Sequence, residues 1–173
     1  MKKEKAVFFD RDGVINEDLG YVHKKGDFRF YDDFFACAKE FKKRGYRLVV
    51  ITNQSGIDRG YFGIKDFLEI SAYMQDSIFN RLGFCMDRIY FCPSRFDNAR
   101  RKPACGLLLQ AKQAYNLDMS ACLMVGDKLS DMEAGYNAGL TRLFLISRGC
   151  NSRLLDSARH LFYANIATLS ALY

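Results

Sequence analysis

Short apolar runs alternate with longer amphipathic stretches along this chain, and the alternation predicts a strand–helix repeat. Ala6–Phe9, AVFF, is wholly apolar, stops abruptly at Asp10 and reads as a buried strand. Glu17 to Tyr31 is polar, turns at Gly20 and Gly26, and is too long for a minimal strand-to-helix connection, so it is expected to cover something. A helix capped by Asp32 or Asp33 then runs to Arg44, with Phe34, Phe35, Ala38 and Phe41 on one face and Gly45 as its stop. Tyr46–Ile51 is a second buried strand, ending in the polar or small run Thr52–Gly56. A long helix from about Ile64 to Leu82 places Phe67, Ile70, Tyr73, Met74, Ile78 and Leu82 at helical spacing, which reads as core.

The second half repeats the pattern. Arg88–Cys92 is a third strand, Pro93–Lys102 a polar loop, and a helix opening at Pro103 or Ala104 runs to about Tyr115. A fourth strand, Ala121–Val125, ends in Gly126-Asp127-Lys128, and a short helix from Ser130 to Ala138 closes at Gly139. Leu140–Ile146 is a fifth strand. Beyond Gly149 the pattern weakens to loop, a short strand near Leu161–Tyr163 and a terminal helix near Ile166–Leu172. Strands alternating with helices predict a doubly wound parallel α/β sheet with helices on both faces. No repeat, low-complexity segment or linker interrupts it, so residues 1–173 read as one domain.

Composition narrows the class. Of 173 residues, 49% are hydrophobic and 27% charged, which suits a globular chain rather than a disordered one. No apolar run approaches a membrane span. The basic MKKEK start is followed by too few apolar residues for a signal-peptide core, so a cytoplasmic location is expected. The six cysteines are scattered, with no C-x-x-C pair, and are expected as reduced thiols, with Cys37 and Cys122 in the core. The formal net charge of +6 is spread over small clusters, either solvated faces or a field that attracts phosphorylated substrates. Without a long basic run, nucleic acid is not the expected partner.

The polar residues at the strand ends change the picture. Asp10 and Asp12 follow the first strand, Thr52 and Asn53 the second, Asp127 and Lys128 the fourth. A strand followed by a turn with solvated acids explains any one of these alone. Three together fall where open α/β sheets bind ligands, beyond the carboxyl ends of the strands. Placed over a phosphate monoester, Asp10 is the nucleophile of an aspartyl-phosphate route and Asp12 the acid and base. Asp10, a backbone carbonyl near Asp12, and Asp127 suit Mg²⁺, which takes oxygen ligands and keeps several waters. The Thr52 hydroxyl and Asn53 N–H suit the transferring phosphoryl oxygens, and Lys102 or Lys128 its charge.

Four stretches in order carry a resemblance: DRDGVIN after the first strand, VVITNQSGI at the second, RKP in the third loop and VGDKLSDM at the fourth. Together, from Ala6 to Ala138, they resemble the motifs of haloacid-dehalogenase-like phosphatases. The aspartate two residues after the nucleophile is the family's phosphatase form. DLGYVHKKGDFRFYDD followed by TNQSGIDRGYF is similar to the small-cap group that acts on heptose 1,7-bisphosphates and histidinol phosphate, with the heptose enzymes nearest.

The resemblance implies a Rossmann-like fold with no large cap. A shallow pocket would be shaped by a flap at 17–31 and the loop at 93–102. It implies Asp10, Asp12 and Asp127 at Mg²⁺, with Thr52, Asn53 and Lys102 on the transferring phosphoryl group. Asp18, Gly20, Tyr21, Gln54, Ser55, Arg101 and Lys128 would contact the sugar or a second phosphate, and Asp131 a metal-bound water. The implied substrate is a small phosphorylated sugar, cleaved by a monomer in the making of lipopolysaccharide or capsule precursors.

The chain departs from the family in its third loop, where many members hold zinc. Ser94 stands for the expected histidine, Ala99-Arg100 for a C-x-C, and Cys105 lies past Pro103. A closed zinc site needs four nitrogen or sulfur ligands, so zinc is expected to be absent. His23 sits in the flap, where surface is favoured over substrate contact, and His160 is expected on the surface. Three other readings stay open: a histidinol phosphatase, a DNA 3′-phosphatase, and a non-enzymatic module phosphorylated on Asp10. Asp12 weighs against the last, since a placed acid/base would hydrolyse the acyl phosphate.

Overall fold

The computed structural model describes residues 3–148 and 163–173. Six parallel strands form one sheet: β1 (Ala6–Phe9), β2 (Arg47–Asn53), β3 (Arg88–Cys92), β4 (Leu123–Gly126), β5 (Arg142–Ile146) and β6 (Ala164–Ile166). Their order is β3-β2-β1-β4-β5-β6. The connections run outward from β1 in one direction, then return to its other side at β4. That reversal opens a crevice between the carboxyl ends of β1 and β4, the place where such sheets bind ligands.

β1 is buried on both faces, as its unbroken apolar run requires. Side chains alternate across a strand, so Val7 and Phe9 face one core while Ala6 and Phe8 face the other. The first core takes Phe34, Ala38 and Phe41 of α1 (Asp32–Lys43) and Ile70, Met74 and Ile78 of α2 (Ile64–Leu82). The second takes Leu107, Leu108 and Ala111 of α3 (Gly106–Tyr115) and Met132 and Ala134 of α4 (Leu129–Asn137). Cys37 and Cys122 are buried as expected, and the five described cysteines are free thiols. No helix among the described residues is long and apolar enough to cross a membrane.

Several boundaries differ from the sequence reading. Neither Asp32 nor Asp33 caps α1; Tyr31 holds that position without a side-chain bond. Asp33 is drawn away instead, accepting from both terminal nitrogens of Arg148 and from Leu169 N. β2 continues through Asn53, because pairing of Thr52 and Asn53 with Phe91 and Cys92 carries it past the apolar run. β4 starts later than expected, since Met119–Ala121 is one 3-10 turn in which Asp118 accepts from Ser120 N.

α3 starts later too, at Gly106. The strand expected near Leu161–Tyr163 is not found at Tyr163, its one described residue; β6 pairs with β5 just beyond it, at Ala164–Ile166. The terminal helix is a 3-10 turn over Leu169–Leu172. Leu161, Phe162, Cys150, His160 and the loop expected after Gly149 lie outside the described residues.

Candidate active site

Parallel pairing brings distant carboxylates together. Asp10 N donates to Val125 O at 3.0 Å, so Asp10 leaves β1 alongside the end of β4. Asp127 follows two residues later on that neighbour. Asp131 reaches the same point from the first turn of α4, where its Oδ2 accepts from Lys128 N at 3.0 Å and caps the helix. One oxygen each of Asp10, Asp127 and Asp131 lie within 4.8 Å of one another.

Two glycines make room for this approach. Gly13 has φ +84°, and a Cβ there would stand 2.4 Å from Asp127 Oδ2. A Cβ on Gly126 would stand 2.2 Å from the Cβ of Asp131.

Lys102 closes the cluster. Its Nζ lies 2.9 Å from Asp10 Oδ1 and 2.6 Å from Asp131 Oδ1, and donates to Ile51 O at 2.8 Å. The third loop is held in place by Asn53, whose side-chain amide donates to Lys102 O at 3.0 Å and accepts from Lys102 N at 3.1 Å. The Asn53 side chain thus fixes the lysine, a contact that the sequence did not suggest.

The electrostatics follow from burial of unequal charge. Burial pushes the Asp10 carboxyl above its usual value; Lys102 opposes this and Asp131 adds to it. Burial opposes the Lys102 charge, but Asp10 and Asp131 outweigh it and hold the ammonium above its ordinary value. Burial, reinforced by Asp10, pushes Asp127 up to about 7. Asp127 Oδ1 is buried with no hydrogen-bond partner. Three carboxylates against one central lysine, with an orphaned oxygen among them, fit a divalent cation with oxygen ligands.

Asp12 faces elsewhere. Arg11, Asn16 Nδ2 at 2.9 Å and Gln54 Nε2 at 3.1 Å all donate to its carboxylate. Gln54 also donates to Thr52 Oγ1 at 2.8 Å. The side chain of Asp12 is therefore not part of the acidic trio. Asp131 stands as the third carboxylate of that trio in its place.

A cleft of about 560 Å³ opens over these groups. Asp10, Asp12, Thr52 and Lys102 line it, as do Asp18, Gly20, Tyr21, Asn53, Gln54, Ser55, Arg101 and Lys128. Pro103, Ser130 and Asp131 join them. Lys128 Nζ spans the rim, 3.0 Å from Asp18 of the flap and 3.3 Å from Asp127. Burial opposes the charge of Asp18, but Lys128 outweighs it and holds the carboxyl below its usual value. Arg101 Nη1 is buried without a partner. His23 stacks on Phe62 at 4.9 Å, and its Nδ1 lies 2.7 Å from Tyr21 O, outside the cleft lining.

Asp131 was legible in the sequence, through the VGDKLSDM resemblance and through its place three residues after Lys128 at a helix start. The burial of Arg11 had none.

Comparison with known proteins places the chain, in sequence and in fold, among known phosphatases. Residues 99–164 match the HAD-hydrolase-like family model. The D-glycero-beta-D-manno-heptose-1,7-bisphosphate 7-phosphatase of Helicobacter pylori is 47% identical over 148 residues, covering 84% of this chain and 86% of that one. The D-glycero-alpha-D-manno-heptose-1,7-bisphosphate 7-phosphatase of Campylobacter jejuni is 46% identical over 145 residues, covering 84% of each. The structure of D,D-heptose 1,7-bisphosphate phosphatase from B. bronchiseptica, complexed with magnesium and phosphate, superimposes with a TM-score of 0.86 at 26% identity, over 98% of this chain and 95% of that one. With its parallel sheet, its strand-end acids and relatives of this identity over most of its length, the chain belongs to the haloacid-dehalogenase-like phosphatases.

Proposed function

We propose that this phosphatase removes the C7 phosphate of a D-glycero-D-manno-heptose 1,7-bisphosphate through an aspartyl-phosphate on Asp10. The observation that carries the reading is Asp10 itself: a carboxylate at the sheet's switch point, 2.9 Å from Lys102, at the floor of a cleft rimmed by a flap and a basic loop. Asp10, Asp127 and Asp131, with the Asp12 carbonyl, would hold Mg²⁺. The ion supplies charge neutralisation for the phosphoryl oxygens when bound.

The chain's own groups do the rest. An Asp10 oxygen forms a bond to phosphorus as the bond to the sugar oxygen breaks, and Asp12 gives that oxygen its proton. Asp12 then takes a proton from the water that attacks phosphorus, which frees phosphate and restores Asp10. Lys102 neutralises charge beside the nucleophile, and the Thr52 hydroxyl faces the same cleft. Phosphoryl transfer depends mostly on such placement.

We read Asp18, Gly20, Tyr21, Gln54, Ser55 and Lys128, all of which line the cleft, as the residues that meet the sugar. The buried, unpartnered Nη1 of Arg101 supports a second anion there. The flap at 17–31 and the loop at 93–102 belong to one phosphatase domain, read as a cytoplasmic monomer serving lipopolysaccharide or capsule precursors. We read the loop as zinc-free, held by Asp97, which accepts from Ala99 N and Arg100 N, and by Arg95 on Asp58. Stoichiometric zinc in the purified protein would overturn that part.

The names of the relatives divide between alpha and beta anomers, so both belong in the test. Phosphate release is measured from each heptose bisphosphate, from histidinol phosphate and from a DNA 3′-phosphate end. A large preference for one heptose anomer is expected. A large preference for histidinol phosphate or DNA would overturn the substrate assignment, and a long-lived phosphoprotein without turnover would overturn the enzyme reading.

A further inference from the structure

Arg11 lies between the two aspartates of the first motif and is only 1% exposed. Withdrawing a guanidinium this far from water is costly unless its partners compensate. Its partners belong to two different parts of the molecule. Nε and Nη2 form a forked bond to the Asp12 carboxylate, at 3.1 and 2.9 Å from Oδ2. The same Nη2 donates to Val22 O in the flap at 2.7 Å. The guanidinium carbon stands 5.9 Å from the ring of Phe28, also in the flap, and 5.9 Å from that of Phe67 in α2.

Packing alone does not explain this arginine. An apolar side chain of similar volume would fill the space without a desolvation cost. Arg11 also carries an N–H, at Nη1, that is buried and unpartnered. The turn that follows does not depend on the side chain, because Val14, Ile15 and Asn16 donate to the main-chain oxygen of Arg11. What the guanidinium adds is one nitrogen bonded at once to the flap and to Asp12.

We propose that Arg11 is a positioning residue that couples the flap to the orientation of Asp12. When a substrate seats against Asp18, Gly20 and Tyr21, the flap main chain at Val22 is set. Arg11 then holds the Asp12 carboxyl where it meets the leaving oxygen. Asn16 and Gln54 complete the cradle from the other side. The inference rests on Asp12 as the proton carrier.

The test compares the first-turnover release of the leaving group in Arg11→Lys, Arg11→Met and Asp12→Asn on two substrates with Mg²⁺ present. p-Nitrophenyl phosphate releases a phenolate that needs no proton, whereas the heptose bisphosphate releases an alkoxide that does. A misplaced acid therefore slows the second substrate selectively, by roughly 10²-fold for general acid catalysis of ordinary size. Both Arg11 variants are expected to lose this much of the first-turnover rate, which reads attack by Asp10 and not the later hydrolysis shared by both substrates, on the alkyl ester while staying within about threefold of wild type on the aryl ester. Amides of residues 17–31 are expected to exchange hydrogen faster in both, with the strand amides unchanged.

Equal losses on the two esters with unchanged flap exchange would overturn the coupling. If Asp12→Asn distinguishes the esters and the Arg11 variants do not, the coupling alone falls. If Asp12→Asn treats them alike, the acid role of Asp12 falls and the coupling with it. Should the Arg11 variants fail to fold, Asp12→Asn carries the test: faster flap exchange is expected, and unchanged exchange overturns the link.

Discussion

The ammonium of Lys102 lies 2.6 Å from the carboxylate of Asp131, and both side chains are almost wholly buried. The contact joins the third loop to the first turn of α4 directly behind Asp10. Removing the lysine leaves buried carboxylates without a counter-charge, a change that typically costs roughly 3–5 kcal/mol. Lys102→Met is therefore expected to lower both the melting temperature and turnover, the latter by about 10² or more. Thermal melts with and without Mg²⁺ check it, and Mg²⁺ should recover more stability in the variant than in the wild type.

The division of labour between Asp10 and Asp12 gives the second prediction. Asp10→Asn is expected to abolish turnover. Asp12→Asn is expected to leave a slower enzyme in which phosphate remains on Asp10, visible as an added phosphoryl mass in rapidly quenched protein. Full activity in both variants would refute the mechanism.

Chelation supplies the third. With Asp10, Asp127 and Asp131 mutually within 4.8 Å, a divalent cation relieves repulsion among them. Exhaustive treatment with a chelator should abolish activity, and added Mg²⁺ should restore it. Asp131→Asn removes one of the three charges and should raise the Mg²⁺ concentration needed for half-maximal activity. An unchanged Mg²⁺ requirement would exclude Asp131 from the cation site.

Gly13 is the fourth. Alanine there must adopt a φ of +84° and place its Cβ 2.4 Å from Asp127 Oδ2. The backbone term alone is about 1–2 kcal/mol. Because Asp127 must also move, Gly13→Ala is expected to lose activity out of proportion to its loss of stability. Paired melts and kinetics would settle this, and proportionate losses would show that the close approach does not matter.

A fifth concerns acid stability, away from the cleft. Asp87 accepts from Leu48 N at 2.8 Å, Arg47 at 2.9 Å and Lys42 at 2.9 Å. Burial works against its charge, but these donors outweigh it and hold the carboxyl below its usual value. A lowered folded value means that this stability is complete above the unfolded value of about 3.9 and is lost as pH falls through the folded one. Asp87→Asn should be less stable near neutrality, by roughly 1–2 kcal/mol given its half-exposed partners. It should also lose less on further acidification. Melting temperatures read from neutral pH downward test both, and parallel curves would contradict the assignment.

The sequence by itself determined the class of fold and most of the site's membership. Apolar runs such as AVFF and RLVVI can be buried on both faces only in a covered parallel sheet, and α2 and β3 fall where periodicity places them. The strand-end residues Asp10, Thr52 and Asp127 were legible because local polarity breaks the apolar run just where a strand must end. Boundaries governed by distant partners were not: Asp33 answers to Arg148 and Leu169, and no local signal says so.

Only the tertiary structure decided which groups meet. Strand order set Asp10 beside Asp127, and the first turn of α4 added Asp131. Asn53 was turned to the main chain of Lys102, and Gln54 to the carboxylate of Asp12. Each of these depends on the relative placement of segments far apart in sequence, which short-range patterns of polarity do not encode.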